Sequence, residues 1–186
     1  MRRLLIVLAL TSVLHGPTLR AQVPASPTVP ACPSTTTLDQ LITAIDAAVT
    51  GPANKDRACF RALFLPDARL IPLHIAADGS ATPHPLTVDG WVDAVAKNGG
   101  LILFEHQIKV RTETFGHLAH LWSTYETRSA PSATGPDGKP VKESEAKLLH
   151  RGINSIQAVF DGKQWRILQI AWQDESPAEP LPEKYL

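Results

Sequence analysis

The strongest pattern in the chain is a pair of apolar runs around Asp161-Gly162, within RGINSIQAVFDGKQWRILQIAWQ at residues 151–173. Asp-Gly is the dipeptide a two-residue type I′ turn requires, because both central residues take positive φ. The spacing therefore predicts a β-hairpin. Both of its strands are apolar on both faces, which places them centrally in a covered sheet rather than at an edge. With a two-residue turn, Arg151 stands opposite Trp172, where guanidinium and indole can stack. Arg151, Asn154, Ser155 and Gln157 interrupt the first strand, and buried polar groups are costly unless hydrogen-bonded. A polar-lined interior follows.

Upstream the period changes from two to that of a helix. Leu38, Leu41, Ile42, Ile45 and Val49 recur at helical spacing behind Thr37-x-x-Gln40, a capping-box arrangement, and Gly51-Pro52 ends the helix. A second helix is expected from Asn54 or Asp56 through Phe64, stopped by Pro66. A third runs from Thr87 as N-cap through Trp91, Val92 and Val95 to Asn98-Gly99-Gly100. Strands are predicted at residues 69–75, 101–115 and 117–128, with turns at Asp78-Gly79 and Gly116. Residues 129–148 are polar and rich in Pro and Gly, which predicts a mobile loop with a short helical piece near Lys142. Helices first and long strands afterwards make an α+β pattern: three N-terminal helices packed on one face of a strongly bent antiparallel sheet.

The ends change the picture further. Arg2 and Arg3 precede an apolar stretch, Leu4 to Leu14, too short to span a bilayer with ease, so residues 1–21 read as a secretory signal peptide. Residues 22–36, with Pro24, Pro27, Pro30 and Pro33, read as a Pro-rich linker, and residues 37–186 as one domain with a Pro-rich C-terminal tail. An exported protein, periplasmic or secreted, is expected. Removing Arg2, Arg3 and Arg20 with the leader leaves 15 of 18 basic residues against 18 acidic ones, a net charge of −3. A mildly acidic chain without a Lys/Arg block argues against nucleic acid as partner, and no segment after the leader has membrane-spanning length. Cys32 and Cys59 are available for one disulfide in an oxidising compartment.

At this point the residues resemble the nuclear transport factor 2-like superfamily, including its SnoaL-like members. The resemblance is carried by the first helix, by FRALFLPDARL at 60–70, FGHLAHLWSTYETR at 115–128 and RGINSIQAVFDGKQWRI at 151–167, and by the PLPEKYL ending. RGINSIQ and the ending look like an exported bacterial branch. The resemblance implies a cone-shaped α+β fold. It also implies a family that holds ketosteroid isomerases, dehydratases, polyketide cyclases and proteins without chemistry, so fold alone does not decide function.

Enzymes of that superfamily work with a carboxylate or His/Asp pair inside the cone, tuned by burial. The candidates here are Glu126, His106, Asp174 and His120, with Glu126 and His106 preferred. Alternation on the 117–128 strand puts His120, Trp122, Thr124 and Glu126 on one face and Leu121, Ser123 and Tyr125 on the other. Glu126 is a base if the first face lines the cavity, and a structural ion-pair partner of Arg151 or Arg128 otherwise. Arg151 suits bidentate capture of a carboxylate, with Asn154 beside it and Trp122 and Trp172 as apolar walls. A role for Arg151 in holding the strand end stays open. Histidine spacing and the absence of Cys-x-x-Cys support no metal, and no nucleophile signature or phosphate loop implies a cofactor. Two functions follow. The first is a non-catalytic binding module for a small polar or anionic, apolar-bodied ligand, pairing with a second copy through an exposed sheet face. The second is a cofactor-independent acid–base enzyme of the isomerase, dehydratase or cyclase type.

Overall fold

Thr37 opens the first helix with the reciprocal pair its sequence predicts. Its hydroxyl accepts from Gln40 N–H at 3.2 Å, while the Gln40 side chain accepts from Thr37 N–H at 3.3 Å. In this computed structural model, which describes residues 31–186, helix α1 covers Leu38–Val49. The expected leader and most of the linker lie outside the described residues. Leu41, Ala44, Ile45, Ala48 and Val49 form the buried stripe of α1, and Thr50 and Gly51, the latter at φ +124°, turn the chain out of it.

The elements that follow are β1 (Gly51–Pro52), α2 (Ala58–Ala62), β2 (Phe64–Ile75), β3 (Ala81–Pro83), α3 (Val88–Ala96), β4 (Ile102–Phe115), β5 (Leu118–Ala130), β6 (Lys147–Phe160) and β7 (Trp165–Asp174). Helix α2 is shorter than the sequence suggests. Pro66 does not stop it; instead Pro66 lies inside β2 beside Asp67 at φ +63°, where the register with β7 shifts. A proline is tolerated in such an interruption because no ladder donor is required of it. The 129–148 stretch holds one turn of 3-10 helix, Glu143–Glu145, and then enters β6.

One seven-stranded sheet has the order β1-β4-β5-β6-β7-β2-β3. All neighbours are antiparallel except β2 and β7, which run parallel and bring the first long strand beside the last. Register shifts at Gln107/Lys109, Thr127/Arg128 and Gln157/Ala158 interrupt the central ladders. Each adds local twist, so the long strands curl around α1. The core fills that concavity: Leu41, Ile45 and Phe60 from the helices meet Leu121, Ile156, Ala158 and Ile167 from the sheet.

The β6–β7 hairpin is central, as its apolar faces require, but its turn is not two residues long. Phe160 pairs with Trp165, leaving residues 161–164 as the loop. Only Gly162 takes positive φ there, at +96°. The Asp161 carboxylate instead accepts from the backbone N–H groups of Lys163 and Gln164, both at 2.9 Å, which favours the longer loop. Two extra loop residues and the bulge at Gln157/Ala158 together move the register by three. Trp172 therefore stands opposite Asn154, not Arg151.

Two ties hold the segment before α1 to the domain. Cys32 and Cys59 form a disulfide, closing a sequence separation of 27 residues. Buried Thr35 exchanges hydrogen bonds with Trp165, its carbonyl accepting at 2.7 Å and its hydroxyl donating at 2.8 Å.

Candidate functional site

Which face of β5 lies inside the curl decides the site. Ala119, Leu121, Ser123, Tyr125 and Thr127 are the buried alternate positions, so the odd-numbered face points inward. The same parity in β4 turns Leu103 and Glu105 inward. Together with α1, α3 and β6 these residues enclose a cavity of about 330 Å³. Its walls are mostly apolar: Ile45, Val49, Phe60, Trp91, Ile170 and Trp172. Its polar end carries Glu105 with the buried Tyr125, Thr127 and Asn154; His150 also lines the cavity, and the exposed Asn98 and Leu149 lie at its mouth.

Glu105 is the least ordinary of these groups. Its side chain is partly buried and lines the cavity. Burial pushes its pKa from the usual 4.5 up to about 7. The hydrogen bond from Thr127 opposes that rise, as does the charge of Arg57, while Asp46 and Asp174 add to it. Thr127 Oγ1 donates to Glu105 Oε2 at 3.0 Å, and Gln107 Nε2 donates to Oε1 at 3.5 Å. The nearby Arg57 guanidinium is committed elsewhere, giving Nη1 to the carbonyls of Ala48 and Val49 at 2.6 and 2.9 Å. Among the described residues no Lys, Arg or His forms an ion pair with Glu105.

The remaining polar groups at this end are ordered by one another. The Tyr125 phenol donates to Asp174 Oδ1, and its own ionisation is driven far above the usual range by burial and by that carboxylate. His150 Nδ1 lies 3.8 Å from Asp174 Oδ2. Asn154 Nδ2 and Ser123 Oγ both donate to Gln107 Oε1, at 3.2 and 2.6 Å. The Gln107 N–H in turn donates to Asp46 Oδ1 of α1 at 3.1 Å.

A curled sheet packed on helices recurs among solved structures. One is the β subunit of a provisionally named aromatic-ring-hydroxylating dioxygenase from Novosphingobium aromaticivorans. It shares 12% identity, with a TM-score of 0.54 over 75% of this chain and 87% of that one. A provisionally named scytalone dehydratase from the same organism gives 11% identity and a TM-score of 0.50, over 75% and 82%. A provisionally named Ca/calmodulin-dependent kinase II association domain from Exiguobacterium sibiricum gives 12% and 0.50, over 75% and 92%. The chain has the nuclear transport factor 2-like fold. No family model and no curated protein sequence matches it, so the likeness is one of shape.

Within this nuclear transport factor 2-like cone the sequence-predicted residues divide. Asn154 and Trp172 line the cavity. Glu126 does not: it lies on the outer face, and its carboxylate accepts from Arg128 Nε at 2.7 Å. His106 is half-exposed and pairs with Glu143 at 2.9 Å, a contact that raises its pKa. Arg151 stands beside Glu126 in the ladder, yet its Nε donates to Glu175 Oε1 at 2.7 Å outside the cavity. Trp122 faces an outer groove of about 550 Å³ beneath the C-terminal tail, which Trp172 also borders. There the Tyr185 carbonyl accepts from Thr124 Oγ1 at 2.6 Å. His120 bonds Ser155 Oγ at 3.0 Å on the same outer face.

Glu105, Tyr125, Thr127 and His150 are the cavity residues that sequence reading missed. Glu105 had one signal: it is a lone acid directly after the apolar run Leu101 to Phe104. Its neighbour His106 drew attention instead, and one residue along a strand is the opposite face. Among the described residues, no group of three or more His, Cys, Asp or Glu side chains converges as metal ligands.

Proposed function

We propose that this protein is an exported small-molecule-binding module whose inner cavity takes an apolar-bodied molecule and holds its polar end at Glu105. The observation that carries this reading is the cavity itself: mostly apolar walls ending in a few fixed polar groups, the composition of small-molecule sites. Export is supported by the basic and apolar leader of residues 1–21 and by the Cys32–Cys59 disulfide, which persists in oxidising compartments. Mass spectrometry of the natively isolated protein tests the cavity. A small molecule should copurify with the wild type and be lost from Val95→Phe, which fills the cavity from α3. Retention of the same molecule by the filled variant would overturn the reading.

A second reading has one specific observation in its favour. A carboxyl with a pKa of about 7 is matched to proton transfer near neutral pH, so Glu105 suits the base of a cofactor-independent isomerase or dehydratase. One structural neighbour bears a dehydratase name. In that case Glu105→Gln abolishes turnover of the copurifying molecule while its binding persists. Turnover that survives the substitution excludes Glu105 as the base.

A further inference from the structure

The polar end of the cavity has a direction. Each hydroxyl there has already given its proton to a protein acceptor: Tyr125 to Asp174 and Thr127 to Glu105. One N–H of the Asn154 amide donates to Gln107 Oε1, which the Ser123 hydroxyl also occupies. What remains for a ligand is chiefly lone pairs: those of the Tyr125 and Thr127 oxygens, the Asn154 carbonyl oxygen and the free positions on Glu105. A carboxylate offers about four acceptor sites, and two on Glu105 are filled. Glu105 pairs directly across the ladder with Thr127, and Tyr125 is the next residue on that face. Such diagonal neighbours lie about 7 Å apart, which leaves room for one small group between them.

Charge points the same way. Asp46 and Asp174 both bear on Glu105, and Arg57, the basic residue that acts on it, gives Nη1 to helix-end carbonyls, leaves its buried Nε unpartnered, and does not line the cavity. The expected anion-binding group, Arg151, is tied to Glu175 outside. A carboxyl without an ion-pair partner, set mostly among acceptors, repels a carboxylate ligand, and the one further N–H of Asn154 does not offset that repulsion.

We infer that the inner cavity takes an apolar molecule bearing a protonated amine, whose N–H groups are received by Glu105 with the Tyr125 and Thr127 oxygens alongside. This rests on the small-molecule reading of the cavity and assigns its ligand class. The ammonium supplies the donors this end lacks, and the hydrocarbon body lies against Ile170, Trp172 and Val49.

The test is a matched set of probes with one body and three heads: phenethylamine, phenethyl alcohol and hydrocinnamate. Binding of each to the full folded protein is measured by calorimetry at mildly alkaline pH. The amine should bind about tenfold or more tighter than the alcohol, the range of a charge-assisted hydrogen bond, and the carboxylate weakest of all. Glu105→Gln should erase the amine's advantage and leave alcohol binding within about twofold, a ranking change that does not depend on activity. Alcohol or carboxylate binding as tight as the amine overturns the amine assignment and leaves the cavity reading standing. Should none of the three bind, and Val95→Phe change nothing, both fall together. The wild-type ranking needs no variant to fold.

Discussion

Tyr125 reaches Asp174 only because the residue between them has no side chain. Gly152 pairs with Tyr125 on one side and with Asp174 on the other. A Cβ there would stand 2.6 Å from the Tyr125 hydroxyl and collide with the Gln173 carbonyl. The carbonyl is backbone in a central strand and has little freedom to yield. Gly152→Ala is therefore expected to cost about 3 kcal/mol, the upper end for overpacking, even after the small entropic gain of replacing a glycine. Tyr125→Phe, which removes only the hydrogen bond to the Asp174 carboxylate, should cost about 2 kcal/mol. Urea unfolding of the two variants checks the order; a Gly152→Ala cost no greater than that of Tyr125→Phe would show that β7 can move aside.

Burial of Glu105 makes stability depend on pH with an unusual sign. Its folded pKa of about 7 lies above the ordinary 4.5, so the folded state holds a proton that the unfolded state has released between those values. Its contribution is intact below about pH 4.5 and is lost as pH rises through 7. The groups that act on it are Thr127, Asp46, Arg57 and Asp174, and burial outweighs them all. The full difference amounts to about 3 kcal/mol. Glu105→Gln should therefore stabilise the ligand-free protein at pH 8 and flatten the slope between pH 5 and 7 in paired melts. A wild-type slope of the opposite sign in that window, unchanged in the variant, would contradict the burial argument.

The Cys32–Cys59 bond should contribute about 3–4 kcal/mol in the chain-entropy model. Titration of the unfolded, unreduced protein should find no free thiol. Cys59→Ser should lower the urea midpoint by a comparable margin; two reactive thiols in the wild type would show that no bridge forms.

Arg151→Met should lower stability by about 1 kcal/mol, because the Arg151–Glu175 pair is partly exposed and solvent screens it. Affinity for a cavity ligand should not change. Loss of binding at unchanged stability would restore Arg151 to the site, against its placement outside the cavity.

The fold was legible wherever local chemistry determines local structure. The Thr37 capping box, the Thr87 cap and the Asp161-Gly162 turn position all announced elements that the structure contains. Parity was not legible. A strand shows which residues alternate but not which set faces the helices, and on β5 the inner set is the one with Tyr125 and Thr127 rather than Trp122 and Glu126. Register failed for a related reason: Asp161 ties its loop with its carboxylate, and the Gln157/Ala158 bulge adds one further step. Neither is written in hydrophobic spacing. Glu105 itself was readable only as a charge placed where an apolar run predicts none.

The parallel pairing of β2 with β7 also governs the order in which the chain can become itself. Arg166 donates to the Phe64 carbonyl across 102 residues of sequence, and Ile167 sits beside Phe64 in the ladder. Until β7 has been made, the inner edge of β2 has no neighbour and α1 has only part of its floor. The adjacent hairpins β4–β5 and β6–β7 can zip locally, but the seam that joins them to the N-terminal half is a long-range closure, the slow kind. Until then β2 must wait, with its Phe64 and Leu70 faces uncovered, for residues near the end of the chain.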